Sequence, residues 1–120
     1  MSEMTFAPLM FWLLVGHAVA DYALQTDFIA KGKNRHTPTT APPGQKWQPV
    51  WPLVLSAHGL IHGGAVALVT GIWWLGLAEA VAHVLIDFGK CERRYGIYTD
   101  QGAHIVCKLV WAGIALSVGQ

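Results

Sequence analysis

Acidic, amide and imidazole side chains recur at steps of four residues inside apolar stretches of this chain. A step of four places side chains on one face of a helix. Each series joins histidine to other polar groups or to a second histidine. In chain order the series are His17, Asp21 and Gln25; His58 and His62; Glu79, His83 and Asp87; and Asp100, Gln101 and His104. The spacing predicts a polar stripe on each of four helices.

Imidazole and carboxylate together form a ligand set that suits Zn, Mn or Fe. Asp21, Glu79, Asp87 and Asp100 also bring up to four negative charges into apolar surroundings, where one charge costs about 2.5 to 3.5 kcal/mol on insertion scales. Divalent cations would neutralise them. We therefore expect a site for one or two divalent ions. Its predicted ligands are His17, Asp21, His58, His62, His83 and His104.

The remaining polar residues indicate hydrolysis as the chemistry. Asp87 or Glu79 would orient ligands or act as general base on a metal-bound water. Lys90, with Lys33 nearby, would hold an anionic group of a lipid or phosphoester substrate. Supporting polar contacts are expected from Gln25, Lys33, Asp100 and Gln101.

The composition is that of a membrane protein. Of 120 residues, 53% are hydrophobic and 12% are charged, and the mean hydropathy is +0.39. These values are unusual for a soluble domain of this length. A formal net charge of +1 gives no nucleic-acid footprint. Cys91 and Cys107 match neither a CxxC spacing nor a disulfide framework, and we assign them no role.

Four apolar segments set the predicted elements, at about residues 6–30, 52–69, 72–88 and 102–118. Each is near the roughly 20 residues that a membrane-crossing helix needs. The sequence thus predicts an all-α fold, a single domain over residues 1–120 built as an antiparallel bundle of four transmembrane helices. A loop rich in Pro and Thr joins the first two helices. The first segment imitates a signal peptide, but no Lys or Arg precedes it, so we expect it to stay uncleaved.

Lys and Arg cluster in two of the connections, so both are predicted to face the cytoplasm, with both termini outside. Measured from that side at about 1.5 Å per residue, most of the predicted ligands lie roughly 6 to 15 Å deep. This shared depth predicts one site in the cytoplasmic half of the bundle. Beside the predicted ligands of the second helix, Gly59 and Gly63 form a GxxxG that indicates close helix packing.

Less specific interpretations exist for each pattern. His58 and His62 alone could hydrogen-bond across the bundle, and Asp87 with Lys90 could be an interfacial ion pair. The whole cluster could instead serve a proton or metal-ion carrier or channel, which would require an oligomer of so small a chain. It could also fix helix register in a structural membrane subunit.

The blocks HAVADYALQTDFIAKGK, HVLIDFGK and DQGAHIV, with the His58 and His62 pair, resemble the signature of the domain of unknown function 3307 family. These are small membrane proteins of bacteria and their phages. The blocks lie along nearly the whole chain, and only the Pro/Thr loop is longer than expected. We expect a multi-pass protein of the bacterial inner membrane that is surrounded by lipid and could form a homo-oligomer or join a larger membrane complex. A weaker similarity to small bacterial membrane proteins described as metal-dependent hydrolases favours the same chemistry.

Overall fold

The computed structural model describes residues 4–119, and within that range its regular elements are all helices. The all-α prediction is therefore confirmed. A π-helical turn, Val19–Ala23, directly follows the first helix. The helices are α1 (Phe6–Ala18), α2 (Asp27–Gly32), α3 (Trp51–Thr70), α4 (Trp73–Cys91) and α5 (Ile97–Val118).

The first helical segment differs from the single helix predicted over residues 6–30. After α1 the helix widens, and the Leu24 N–H donates to the Val19 carbonyl five residues back, at 2.8 Å. The chain then leaves the helix, and the Thr26 hydroxyl accepts a hydrogen bond from the Ile29 N–H and so caps α2. Apolar periodicity continues across this break, which is why the pattern predicted one helix. The break redirects the chain so that Lys33, at the end of α2, lies buried in the bundle.

The α3–α4 hairpin is the most closely packed part of the fold. Pro52 lies in the first turn of α3, where its missing N–H costs no hydrogen bond. Gly71 ends it in the left-handed conformation with φ 71° and donates its N–H to Ala67. A Cβ on Gly63 would lie 2.4 Å from the Gly76 carbonyl oxygen. The close packing predicted from the glycine pattern is confirmed.

The four long helices enclose an interior that is apolar at one end and polar at the other. α1 packs on α3 and α5, and α4 packs on the same two helices. The apolar end is formed by buried residues of all four helices or their flanks, namely Leu9, Leu13, Val66, Ile72, Leu75, Ala112 and Ala115. The other end contains buried histidines, carboxylates and lysines. The antiparallel course of successive helices brings the polar stripes to the same level.

The outside of the bundle is apolar. Leu60 and Leu68 of α3, Val81 and Leu85 of α4 and Val106 of α5 are all more than half exposed. In the described part of the chain, three segments are long and apolar enough to cross a membrane, at Phe6–Ala23, Trp51–Thr70 and Ile97–Val118. This indicates membrane association. α4, of similar length, is not among them because it carries three charged residues, Glu79, Asp87 and Lys90.

The loop after α2 is attached to the end of α4. Arg35 donates to both carboxylate oxygens of Glu92, at 2.5 and 2.8 Å. These hydrogen bonds hold the pKa of Glu92 at about 2.

α5 begins at Ile97, five residues before the predicted start. Asp100 interrupts the apolar pattern, but an acidic side chain in the first turn of a helix interacts favourably with the helix dipole.

The glycine contacts yield a first prediction. Gly63→Ala should lower the free energy of unfolding by about 1 to 3 kcal/mol, because the new methyl group would overlap a backbone carbonyl that cannot rotate away. The matched control is Gly64→Ala, whose methyl group meets nothing within 4 Å and which should be neutral or stabilising. Thermal unfolding in detergent measures both. Equal effects of the two substitutions would contradict the described helix contact.

Candidate metal centre

Buried histidines from four helices meet at the polar end of the bundle. His17 comes from α1, His58 and His62 from α3, His83 from α4 and His104 from α5. None is more than 6% exposed. The His62 and His83 rings stack with centroids 3.5 Å apart, and His83 stacks on His104 at 4.2 Å. Imidazoles so close together, far from water, are unusual for residues that serve only packing.

Asp21 is the carboxylate on which three of these rings converge. Its Oδ1 atom lies 3.2 Å from His58 Nε2, 3.3 Å from His62 Nε2 and 3.9 Å from His83 Nε2. A ligand atom from each of the four residues lies within 4.8 Å of the others. Zn²⁺ bound at about 2.0 to 2.1 Å places tetrahedral ligand atoms roughly 3.3 to 3.4 Å apart. The spacing therefore suits one small divalent ion, and we call these four residues the Asp21 group.

Several nitrogens in this part of the chain have no hydrogen-bond partner among the described residues. Both ring nitrogens of His62 and both ring nitrogens of His83 are buried and lack such a partner. A buried polar atom without a partner costs about 1 to 3 kcal/mol. Asp21 Oδ1 lies within ion-pair distance of both Nε2 atoms but forms a hydrogen bond with neither. A cation bound to these Nε2 atoms would use their lone pairs.

Asp87 lies between the Asp21 group and a second group of ligand atoms. Its Oδ2 is 3.4 Å from both His58 Nε2 and His83 Nε2. Its Oδ1 lies 3.4 Å from His104 Nε2. Asp100 Oδ1 is also 3.4 Å from His104 Nε2. Asp87, Asp100 and His104, which we call the Asp100 group, thus offer a further set of converging ligand atoms.

Lys33, not Lys90, is the cation paired with Asp87. Its ammonium donates to Asp87 Oδ2 at 2.7 Å and to Gln25 Oε1 at 2.6 Å. Lys90 is half-buried one turn after Asp87 and forms no ion pair with the residues that the structure describes. The interfacial Asp87–Lys90 pair considered from spacing is therefore wrong. Sequence distance concealed the true partner, which is 54 positions away.

Gln101 and His17 lie beside the Asp21 group. The Gln101 amide donates to Asp21 Oδ2 at 2.8 Å and to Asp100 Oδ2 at 3.0 Å. Its Oε1 lies 2.9 Å from His17 Nε2 and accepts from the Tyr22 hydroxyl. His17 belongs to none of the convergent sets of ligand atoms found among residues 4–119. Gln101 thus connects two carboxylates from different helices and fixes their orientation.

Glu79 lies deeper in the bundle and is held by two donors from α5. The Lys108 ammonium donates to Glu79 Oε1 at 2.6 Å, and the Trp111 indole donates to Oε2. The same Oε1 is 3.5 Å from His83 Nδ1. Lys108 was not predicted, although its place four residues after His104 inside an apolar segment was a signal. Glu79, His83 and His104 could also hold an ion, but both Glu79 oxygens already have close donors.

Fold and site define a small helical protein with apolar helices and buried His/Asp clusters that could hold a metal ion. The family model described as "Protein of unknown function (DUF3307)" matches residues 9–118, so the chain belongs to that family. No curated protein and no solved structure matches the chain.

The Glu79–Lys108 contact yields a second prediction. Lys108→Met should lower the free energy of unfolding by about 3 to 5 kcal/mol, because it leaves an uncompensated carboxylate in the interior. The double variant Glu79→Gln with Lys108→Met removes both charges and should recover most of that loss. Denaturant or thermal unfolding in detergent measures the difference. A double variant as unstable as the single one would show that charge pairing is not what Lys108 contributes.

Proposed function

We propose that α1 with its π-helical turn, α3, α4 and α5 all cross the membrane. Both carboxylates of α4, Glu79 and Asp87, face the bundle together with His83, and all three are at most 1% exposed. Its outer face carries Trp73, Leu77, Val81 and Leu85, which are more than half exposed. Intramembrane charges that face the interior of a bundle are compatible with a spanning helix.

The proposed location is the bacterial inner membrane, with both termini outside the cytoplasm. Lys and Arg are concentrated in the α2–α3 and α4–α5 connections, which lie at the end of the bundle that holds the polar site. The site would then open towards the cytoplasmic leaflet.

We further propose that the protein is a metal-dependent hydrolase. The observation that carries this proposal is the Asp21 group, in which one carboxylate oxygen and three imidazole Nε2 atoms converge. The Nε2 atoms of His62 and His83 have no hydrogen-bond partner among the described residues. Such a ligand set suits Zn, Mn or Fe. A divalent ion held there would supply Lewis acidity and an acidified water. Gln101 and Glu79 would orient Asp21 and His83.

The substrate class follows from the cations and the base. Lys33, and Lys90 near the end of α4, would bind the negative charge of a lipid or phosphoester group. Asp87 Oδ2 faces the Asp21 group and is the proposed general base. It would take a proton from water while the water oxygen bonds to phosphorus. The phosphorus–oxygen bond to the alcohol breaks, and the proton passes to the departing oxygen.

Metal content tests the proposal. The detergent-purified protein should contain about one equivalent of Zn, Mn or Fe by elemental mass spectrometry, and His58→Ala with His83→Ala should abolish it because both changes remove ligands of the same ion. His36→Ala, a histidine on the exposed loop, is the control and should keep the metal. Stoichiometric metal that survives the double change would refute the assignment.

Activity tests the reaction. Cleavage of fluorogenic phosphoesters in micelles should disappear with a chelator and return with the metal. Asp87→Asn should lower the rate by roughly 10² to 10⁴, as expected for loss of a general base. Metal-dependent ion flux into liposomes without any ester cleavage would contradict the hydrolase and favour an ion carrier.

A further inference from the structure

The Asp100 group is a second place where buried ligand atoms converge and one of them lacks a hydrogen-bond partner among the described residues. Asp100 is 1% exposed, and its Oδ1 has no hydrogen-bond partner among the described residues. That oxygen faces His104 Nε2 at 3.4 Å, and the same nitrogen lies 3.4 Å from Asp87 Oδ1. Gln101 holds the other Asp100 oxygen, so Oδ1 is directed into the group. Two carboxylate oxygens and an imidazole are typical ligands of Mn²⁺ or Zn²⁺.

Asp87 belongs to both places through different oxygens. Oδ1 faces the Asp100 group, whereas Oδ2 faces Lys33, His58 and His83. Hydrolytic sites with two ions about 3.5 to 4 Å apart use such neighbouring ligand sets to stabilise the attacking and departing oxygens. Asp87 can therefore contribute Oδ1 to a second ion and still offer Oδ2 as a base.

The charge of the interior determines when a second ion is favourable. Among residues 4–119 the buried charged residues are four carboxylates, Asp21, Glu79, Asp87 and Asp100, against two ammonium groups, Lys33 and Lys108. With neutral histidines, one divalent ion balances this interior. A second ion would leave an excess of two positive charges, which is costly in a bundle surrounded by hydrocarbon. A phosphate group carries about −1.5 to −2 at pH 7 and would offset that excess.

We infer that the Asp100 group is a second cation site that fills together with a phosphate-type anion. The first ion occupies the Asp21 group alone, and the substrate's phosphate brings the second. This inference rests on the proposed function, because it assumes that the Asp21 group holds an ion. It adds that the substrate's phosphate completes the site, so the protein should cleave anionic esters in preference to neutral ones.

Manganese binding tests the inference. The full-length protein in detergent is titrated with Mn²⁺, and the free ion is counted by electron paramagnetic resonance with and without inorganic phosphate. We expect one tightly bound equivalent without phosphate and two with it. Because linkage is reciprocal, Mn²⁺ should strengthen phosphate binding by the same factor that phosphate strengthens the second ion, on the order of 5 to 150.

Two variants locate the second ion. Asp100→Asn should bind one equivalent with or without phosphate, and this retained ion also shows that the variant is folded. Asp27→Asn changes an exposed aspartate of α2 and should bind like the native chain. A second equivalent that persists in Asp100→Asn, or that binds equally well without phosphate, would overturn the inference. If the native chain binds one equivalent of Mn²⁺ under every condition, the inference is also wrong, but the proposed function stands. If it binds no ion at all, the proposed function itself is wrong.

Discussion

The structure depends on how six buried charges are compensated inside a bundle whose outer surface is apolar. The carboxylates Asp21, Glu79, Asp87 and Asp100 and the ammonium groups of Lys33 and Lys108 are all at most 6% exposed. Isolated, each would be strongly unfavourable in such surroundings. Two ion pairs, Lys33 with Asp87 and Lys108 with Glu79, compensate four of these six charges. Asp21 and Asp100 have no lysine partner among the described residues, and both lie instead within ion-pair distance of histidines.

The distribution of polarity along the bundle is consistent with that constraint. One end is filled by aliphatic side chains such as Leu9, Leu13 and Leu75, which need no partners. The other end holds side chains that need several partners each, and amides such as Gln101 connect them across helices. Where the chain must supply a residue from outside the long helices, its backbone departs from regular geometry. The π-helical turn and the break before α2 are such departures, and they place Asp21 and Lys33 in the interior.

Most of what the sequence could predict came from the regular spacing of polar residues within each helical segment. Steps of four within each segment assigned the inward faces of α3 and α4, because helical spacing depends only on nearby residues. The pairing of charges could not be found in this way. Lys33 and Asp87, or Glu79 and Lys108, meet only once the helices have packed, and no local rule links them. The π-helical turn was equally hidden, since inserting a wider turn changes hydrogen bonding without changing apolar composition.

In the proposed metal centre three imidazoles and one carboxylate bind a single divalent ion, and X-ray absorption at the metal edge measures this coordination directly. For the purified protein loaded with Zn²⁺, our account predicts a first shell of nitrogen and oxygen at about 2.0 to 2.1 Å with the outer-shell scattering of about three imidazole rings. A shell containing sulfur at about 2.3 Å, or one without imidazole scattering, would contradict it.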